Sequence, residues 1–231
     1  MALLVPALLL VLLLVLLNLV ERRWPDGVTR LEENVLASLL AIITLVSFTQ
    51  VIARYGFNSG WTGALEFTRI LFAWMILFGM GYGIKQGMHL GVDALVRLLP
   101  RSLFRAAAVF GAFAVFLYAF ILLYAGWLSL LGIDVSTNWR QTGALGYWKF
   151  MYTMGTGLDD LRYPQWMIDG FGIQERVHRW VAYLMLPIGL TLLAYRSLQA
   201  MGAILRGERE MVIAGHEAEE LVAAHKDELK D

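Results

Sequence analysis

The 231-residue chain contains no cysteine, which excludes disulfides, thiolate metal sites and thiol redox chemistry together. It is also poor in charge. Asp, Glu, Lys and Arg make up 16% of it, with 19 basic residues balanced by 19 acidic ones. A soluble domain needs a more charged surface, and a net charge of zero offers no basic footprint for nucleic acid. Histidine is scarce as well: His89 and His178 stand near the ends of apolar runs, and His216 and His225 lie in the C-terminal tail. None has a second histidine at i+3 or i+4 that would make a metal site, and none lies inside an apolar run, where a membrane haem would need it. The stretch GMGYGIK lacks the Walker spacing and a preceding strand, and no G-x-S-x-G occurs. No catalytic, cofactor-binding or metal site is expected, and the chain does not read as an enzyme.

What is abundant is hydrophobic residues, at 58%, gathered in long runs, with eight tryptophans. Residues 2–20 form a leucine-rich run of 19 without a charge, about the length that crosses a bilayer core. No Lys or Arg precedes it and LNLVERR follows it, which favours a retained span over a cleaved signal peptide. The charged, turn-prone link ERRWPDG leads to a second charge-free run, 34–53. Two glycines and an asparagine in YGFNSG then break the helix. Residues 61–69 place Thr62, Glu66 and Arg69 on one helical face and Trp61, Ala64 and Leu65 on the other, the pattern of an interfacial helix. The apolar run 70–84 has only 15 residues and spans if Lys85 snorkels. Its Gly79, Gly81 and Gly83 predict close helix approach.

Residues 106–133 make a charge-free run of 28. The segment 134–177 interleaves Trp139, Trp148 and Trp166 with Arg140, Lys149, Asp159, Asp160, Arg162 and Asp169, which suits a folded loop on the membrane surface. A last run, 180–195, carries Pro187 and is closed by Arg196. The expected fold is an all-α polytopic membrane protein: a four-span helical core (34–53, 67–87, 106–133, 178–198), an interfacial amphipathic helix and an extra N-terminal span. Domain limits are 1–29 for the N-terminal helix and linker, 30–205 for the core and 206–231 for a polar tail. Lys and Arg cluster between the first and second spans, between the third and fourth, and after the last. The positive-inside rule then places Met1 outside and the C-terminus in the cytoplasm.

Carriers and pumps set ionisable residues within the membrane as coupling sites. Here such residues lie at the ends of the apolar runs, which argues for an accessory role. Most of the well-placed polar chemistry sits between residues 54 and 93. Arg54, Asn58, Trp61, Glu66 and Arg69 gather at the external end of one span, and His89 and Asp93 at its other end. Glu66 and Arg69, at i and i+3, either pair with each other or bond to a partner's helix or a docking protein. His89 and Asp93, at i and i+4, suit a hydrogen-bonded pair at a helix end.

Leu31-Glu32-Glu33, QVIARYGFN and WTGALEFTRILFAWMILFGMGYGIKQGMHLGVDALVRLLP, followed by LDDLRYPQW and YLMLPIGLTLLAYR, resemble the DctQ-type small membrane subunit of tripartite ATP-independent periplasmic (TRAP) transporters. The specific part is R-Y-x-F-N, W-x-x-x-x-E-x-x-R and H-x-x-V-D, in that order. The C4-dicarboxylate members are the most similar. The resemblance implies a non-catalytic accessory chain in the bacterial inner membrane. Its implied partners are a large polytopic DctM-type subunit, which carries substrate and sodium, a periplasmic DctP-type binding protein, and the lipid bilayer. The seven residues Arg54 to Asp93 named above then read as partner contacts or structural interface. The run 2–20 and the long 134–177 segment depart from the compact pattern, and the latter would widen a docking surface through Arg140, Lys149 and Arg162. A competing reading, the membrane anchor of a respiratory complex, predicts haem or quinone ligands inside the spans, and the runs hold none. A self-contained channel or carrier would need polar lining residues at membrane depth.

Overall fold

The structure, a computed structural model, describes residues 4–86, 100–131 and 143–207. Helix α1 (Leu4–Arg23) is followed after a single residue by α2 (Pro25–Gly56). Trp24, which precedes a proline and is pushed out of the helical region (φ −141°), is the whole of the break. The expected seven-residue link is therefore largely helical, because Pro25 sits in the first turn, where its missing N–H is not needed. Asn58, with φ +46°, ends α2 in the left-handed conformation that asparagine tolerates, and the Ser59 N–H reaches back to the Ala53 carbonyl at 2.9 Å.

Helix α3 runs unbroken from Ala64 to Gln86, so the amphipathic stretch 61–69 and the apolar run after it share one helix. The 28-residue run 106–133 is divided instead. Helix α4 (Arg101–Leu123) stops ten residues short of its end, and a 3-10 helix (Ala125–Leu131) follows. Returning chain crosses the end of α4 at Gly143, where a Cβ would lie 2.7 Å from the Leu122 carbonyl oxygen. The expected surface loop then forms α5 (Ala144–Met154), β1 (Gly157–Arg162), α6 (Gln165–Phe171) and β2 (Arg176–His178). The antiparallel ribbon β1–β2 is the only sheet among the described residues. Helices α7 (Arg179–Tyr183) and α8 (Met185–Arg206) complete the described chain. They part at Leu184 because Pro187 lacks an N–H and its ring crowds the Tyr183 carbonyl four residues back.

Among the described residues, four helical segments are long and apolar enough to cross a membrane: Pro25–Gly56, Ala64–Gln86, Leu103–Leu123 and Arg179–Arg206. The protein is thus all-α and polytopic apart from the small ribbon. The four differ in what covers them: 56% of the most apolar window of Arg179–Arg206 is buried, against 6% in Pro25–Gly56. Helix α2 therefore turns nearly all its apolar side chains outward, toward lipid or another chain.

The chain divides into two units. The first comprises Met1–Gly79 and Ala119–Leu192. In it, Gly189 of α8 faces α3 so closely that a Cβ would stand 2.8 Å from the Leu77 carbonyl oxygen. Nearby, the Trp74 indole donates to the Ala182 carbonyl at 2.9 Å. Of Gly79, Gly81 and Gly83, of which close approach was expected, Gly81 and Gly83 are buried, and a Cβ at Gly79 would meet the Leu36 side chain at an ordinary 3.5 Å. In the second unit, Met80–Tyr118 and Leu193–Asp231, Ile84, Ala112, Ala200 and Ile204 are buried. There the Arg105 guanidinium donates to the Leu205 carbonyl and Gly207 (φ +76°) ends α8.

Candidate functional site: a carboxylate clasp at the head of a membrane helix

The ribbon's register creates the site. Gly157 pairs with His178 and Arg162 with Arg176, so six residues of β1 face three of β2 and residues 158–161 bow out. Within that bulge Leu158 and Leu161 are buried with Val177, packed on Phe67 and Ile70 of α3 and on Val181 and Ala182. Asp159 and Asp160 point away and are exposed. Bulging leaves three successive backbone N–H groups without ladder partners. The Glu66 carboxylate takes all three: Asp160 and Leu161 donate to Oε2 at 2.8 Å each, and Asp159 donates to Oε1 at 3.3 Å. Consecutive amides turned toward one point form an anion-binding concavity, here filled by the chain's own side chain.

Three neighbours set the clasp. Gly63 is needed because a Cβ there would lie 3.0 Å from the Asp160 carbonyl oxygen and 3.2 Å from Leu161. Arg179 bonds Asp159 Oδ1 at 3.2 Å through its guanidinium and the Thr156 carbonyl at 2.9 Å through its N–H. Farther along, Arg162 pairs with Glu175, and the Tyr163 N–H donates to the Glu175 carbonyl at 2.9 Å. Beside the ribbon, Trp148 and Trp180 meet edge to face at 6.4 Å and Tyr147 and Tyr183 at 4.9 Å, tying α5 to α7.

Glu66 therefore does not pair with Arg69 among the described residues; its carboxylate is held by the amides of the ribbon. Arg69 is exposed and has no hydrogen bond or ion pair among the described residues. Arg54 is exposed on the last turn of α2. Trp61 is gripped by Gln50, whose amide donates to the Trp61 carbonyl at 3.0 Å and accepts its N–H at 3.1 Å. The Trp61 ring meets Phe67 at 5.4 Å. Arg54, Asn58 and Trp61 line one cleft, while His89 and Asp93 lie outside the described residues. No group of three or more metal-ligating side chains occurs among the described residues.

Two polar residues carry more than their sequence context suggests. Arg196 reads as the closing charge of a span, yet it is 3% exposed inside α8, with its guanidinium on Gln199 at 2.7 Å and over the Tyr195 ring. Gln199 in turn donates to the Tyr195 hydroxyl at 2.7 Å. Glu32 on α2 is likewise buried, at 5%. The spacing Tyr195, Arg196, Gln199 on one helix was the available signal for such a network.

Residues 43–207, which include the clasp and Arg196, match the sequence model of the family described as tripartite ATP-independent periplasmic transporters, DctQ component. Three relatives bear the name C4-dicarboxylate TRAP transporter small permease protein DctQ. The Vibrio cholerae protein is 33% identical, over 87% of this chain and 82% of its own. That of Pseudomonas aeruginosa is 30% identical, over 78% and 85%. That of Rhodobacter capsulatus is 28% identical, over 81% and 82%.

Proposed function

Because the chain belongs to the DctQ component family of the tripartite ATP-independent periplasmic transporters, we propose that it is the accessory membrane subunit of a sodium-driven, binding-protein-dependent importer of organic acids. The substrate class that its relatives' names suggest is C4-dicarboxylates. In this reading the chain performs no chemistry. It enlarges the membrane scaffold around a large transport subunit, offers a surface to the periplasmic binding protein, and keeps its C-terminus in the cytoplasm.

The observation that carries the reading is the clasp. Held by Glu66 to the head of α3, the ribbon displays Asp159, Asp160, Arg162, Glu175 and Arg176 as exposed charges on a fixed backbone. Charges on a rigid support steer and orient a soluble partner better than charges on a free loop, which would have to be ordered on contact. The outward-facing apolar side chains of α2 supply area for a membrane partner.

Reconstitution tests this. Purified chain, large subunit and binding protein are combined in proteoliposomes with an inward sodium gradient, and dicarboxylate uptake is measured. Uptake should need all three proteins and sodium. Uptake by this chain alone, or full uptake without it, overturns the assignment.

A further inference from the structure

Between the last turns of α2 and the head of α3 lies a cleft of about 630 Å³. Its lining is mixed. Along α2 the wall reaches back to Val46, beside which Leu45, Phe48 and Val51 are exposed, and Ala64 and Leu65 of the first turn of α3 add apolar surface. At the mouth stand Arg54, Asn58 and the backbone around Trp61. Two of the polar side chains in the lining are already engaged. The Gln50 amide is committed on both sides to Trp61, and the Thr68 hydroxyl donates to the Ala64 carbonyl at 2.9 Å. Arg54 is the one charged residue of the lining; it is exposed and has no hydrogen bond or ion pair among the described residues.

A cavity with one uncommitted guanidinium at its mouth, flanked by Leu65 and by the apolar face of α2 that reaches Val46, matches an amphiphile with a negative head. Trp61, 44% exposed at the rim, is the residue type that settles at headgroup depth. We propose that this cleft binds the headgroup of an anionic phospholipid, its phosphate on the Arg54 guanidinium and an acyl chain along Val46 and Leu65. Guanidinium and phosphate are matched in planar, bidentate geometry, and partial exclusion of water strengthens the contact. An acidic segment of a protein partner would satisfy Arg54 but would gain nothing from the aliphatic wall, so lipid is the better fit. Gln50 is then a positioning residue, since it holds the Trp61 backbone that forms the far side.

The test uses the full-length chain, delipidated in neutral detergent and titrated with phosphatidylglycerol or phosphatidylcholine under native mass spectrometry. One phosphatidylglycerol should be retained in preference to phosphatidylcholine, and Arg54→Gln should weaken it roughly tenfold, the scale of one lost charge-assisted contact. Arg69→Gln, a neighbouring exposed arginine outside the cleft lining, should leave retention unchanged. Leu65→Glu, which sets a negative charge on the wall, should abolish retention and serves if Arg54→Gln fails to fold. Equal retention by wild type, Arg54→Gln and Leu65→Glu overturns the proposal, as does displacement by inorganic phosphate alone. It is also overturned if Arg54→Gln keeps its lipid but loses the large transport subunit, because the cleft would then hold an acidic protein segment.

Discussion

Glu66 holds the peptide N–H of Asp160 at 2.8 Å across 94 residues of sequence. That contact joins the head of a membrane helix to the bulge of a two-stranded ribbon and fixes where the ribbon's charges stand. A two-stranded ribbon is marginal by itself in water, so the fastening is what makes it a defined surface.

Removing the carboxylate should loosen the bulge without unfolding the helices. In Glu66→Ala the amides of Asp159, Asp160 and Leu161 lose their acceptor, a cost of roughly 1–3 kcal/mol for a charged hydrogen-bond partner. Amide hydrogen exchange should accelerate at those three positions by about tenfold or more, while α3 and α8 keep their protection. Glu66→Gln, which retains one acceptor oxygen but presents an NH2 to a donor, should fall between. Assembly with the large subunit or uptake should also drop in Glu66→Ala. If both survive, the clasp is local support only.

Gly189→Ala should destabilise the packing of α3 on α8. The new Cβ would stand 2.8 Å from the Leu77 carbonyl oxygen and 2.9 Å from its carbon, both backbone atoms that cannot move aside cheaply. Overpacking of this kind costs about 1–3 kcal/mol, so the thermal midpoint in detergent should fall by several degrees. Gly79→Ala, which meets only a side chain at 3.5 Å, should be close to neutral.

Arg196→Ala should be more damaging than any exposed arginine substitution. Removing the guanidinium takes a charge-assisted donor from the half-buried Gln199 carbonyl oxygen, a cost of roughly 1–3 kcal/mol, and leaves a cavity beside the Tyr195 ring. Arg196→Lys should recover little, since a single ammonium does not reproduce the planar contact with both Gln199 and the Tyr195 ring. Thermal denaturation followed by intrinsic fluorescence distinguishes these variants.

Replacing Arg140, Lys149 and Arg162 together with serine should lower binding-protein-dependent uptake while leaving the membrane complex intact. Lys149 and Arg162 are exposed, and Arg140 lies outside the described residues. The loss should be largest at low ionic strength, where charge steering is least screened. Unchanged uptake would remove these residues from the docking surface.

The chain's lack of cysteine makes its orientation directly measurable. Single-cysteine variants need no background mutations. Phe171→Cys, at a position 72% exposed on α6, should react with an impermeant maleimide in intact spheroplasts, whereas His225→Cys should react only after the membrane is permeabilised. The reverse pattern would invert the proposed topology.

The sequence by itself determined that this is a helical membrane protein with a DctQ pattern. A bilayer leaves an unpaired backbone no option but the helix, and it writes its thickness into the chain as uncharged runs. It determined less well where helices end, because apolarity records depth and not helix type. The run 106–133 reads as one span, yet the helix stops at Leu123, where the chain returns through Gly143. The ribbon was hidden for a different reason. LDDL has no strand alternation, and its two leucines turn inward only because the bulge lets them meet Phe67 and Ile70. Glu66, Gly63 and Arg196 were visible as residues, but not their roles. Only tertiary structure decided those, because a hydrogen bond between groups 94 positions apart leaves no period or spacing in the sequence between them.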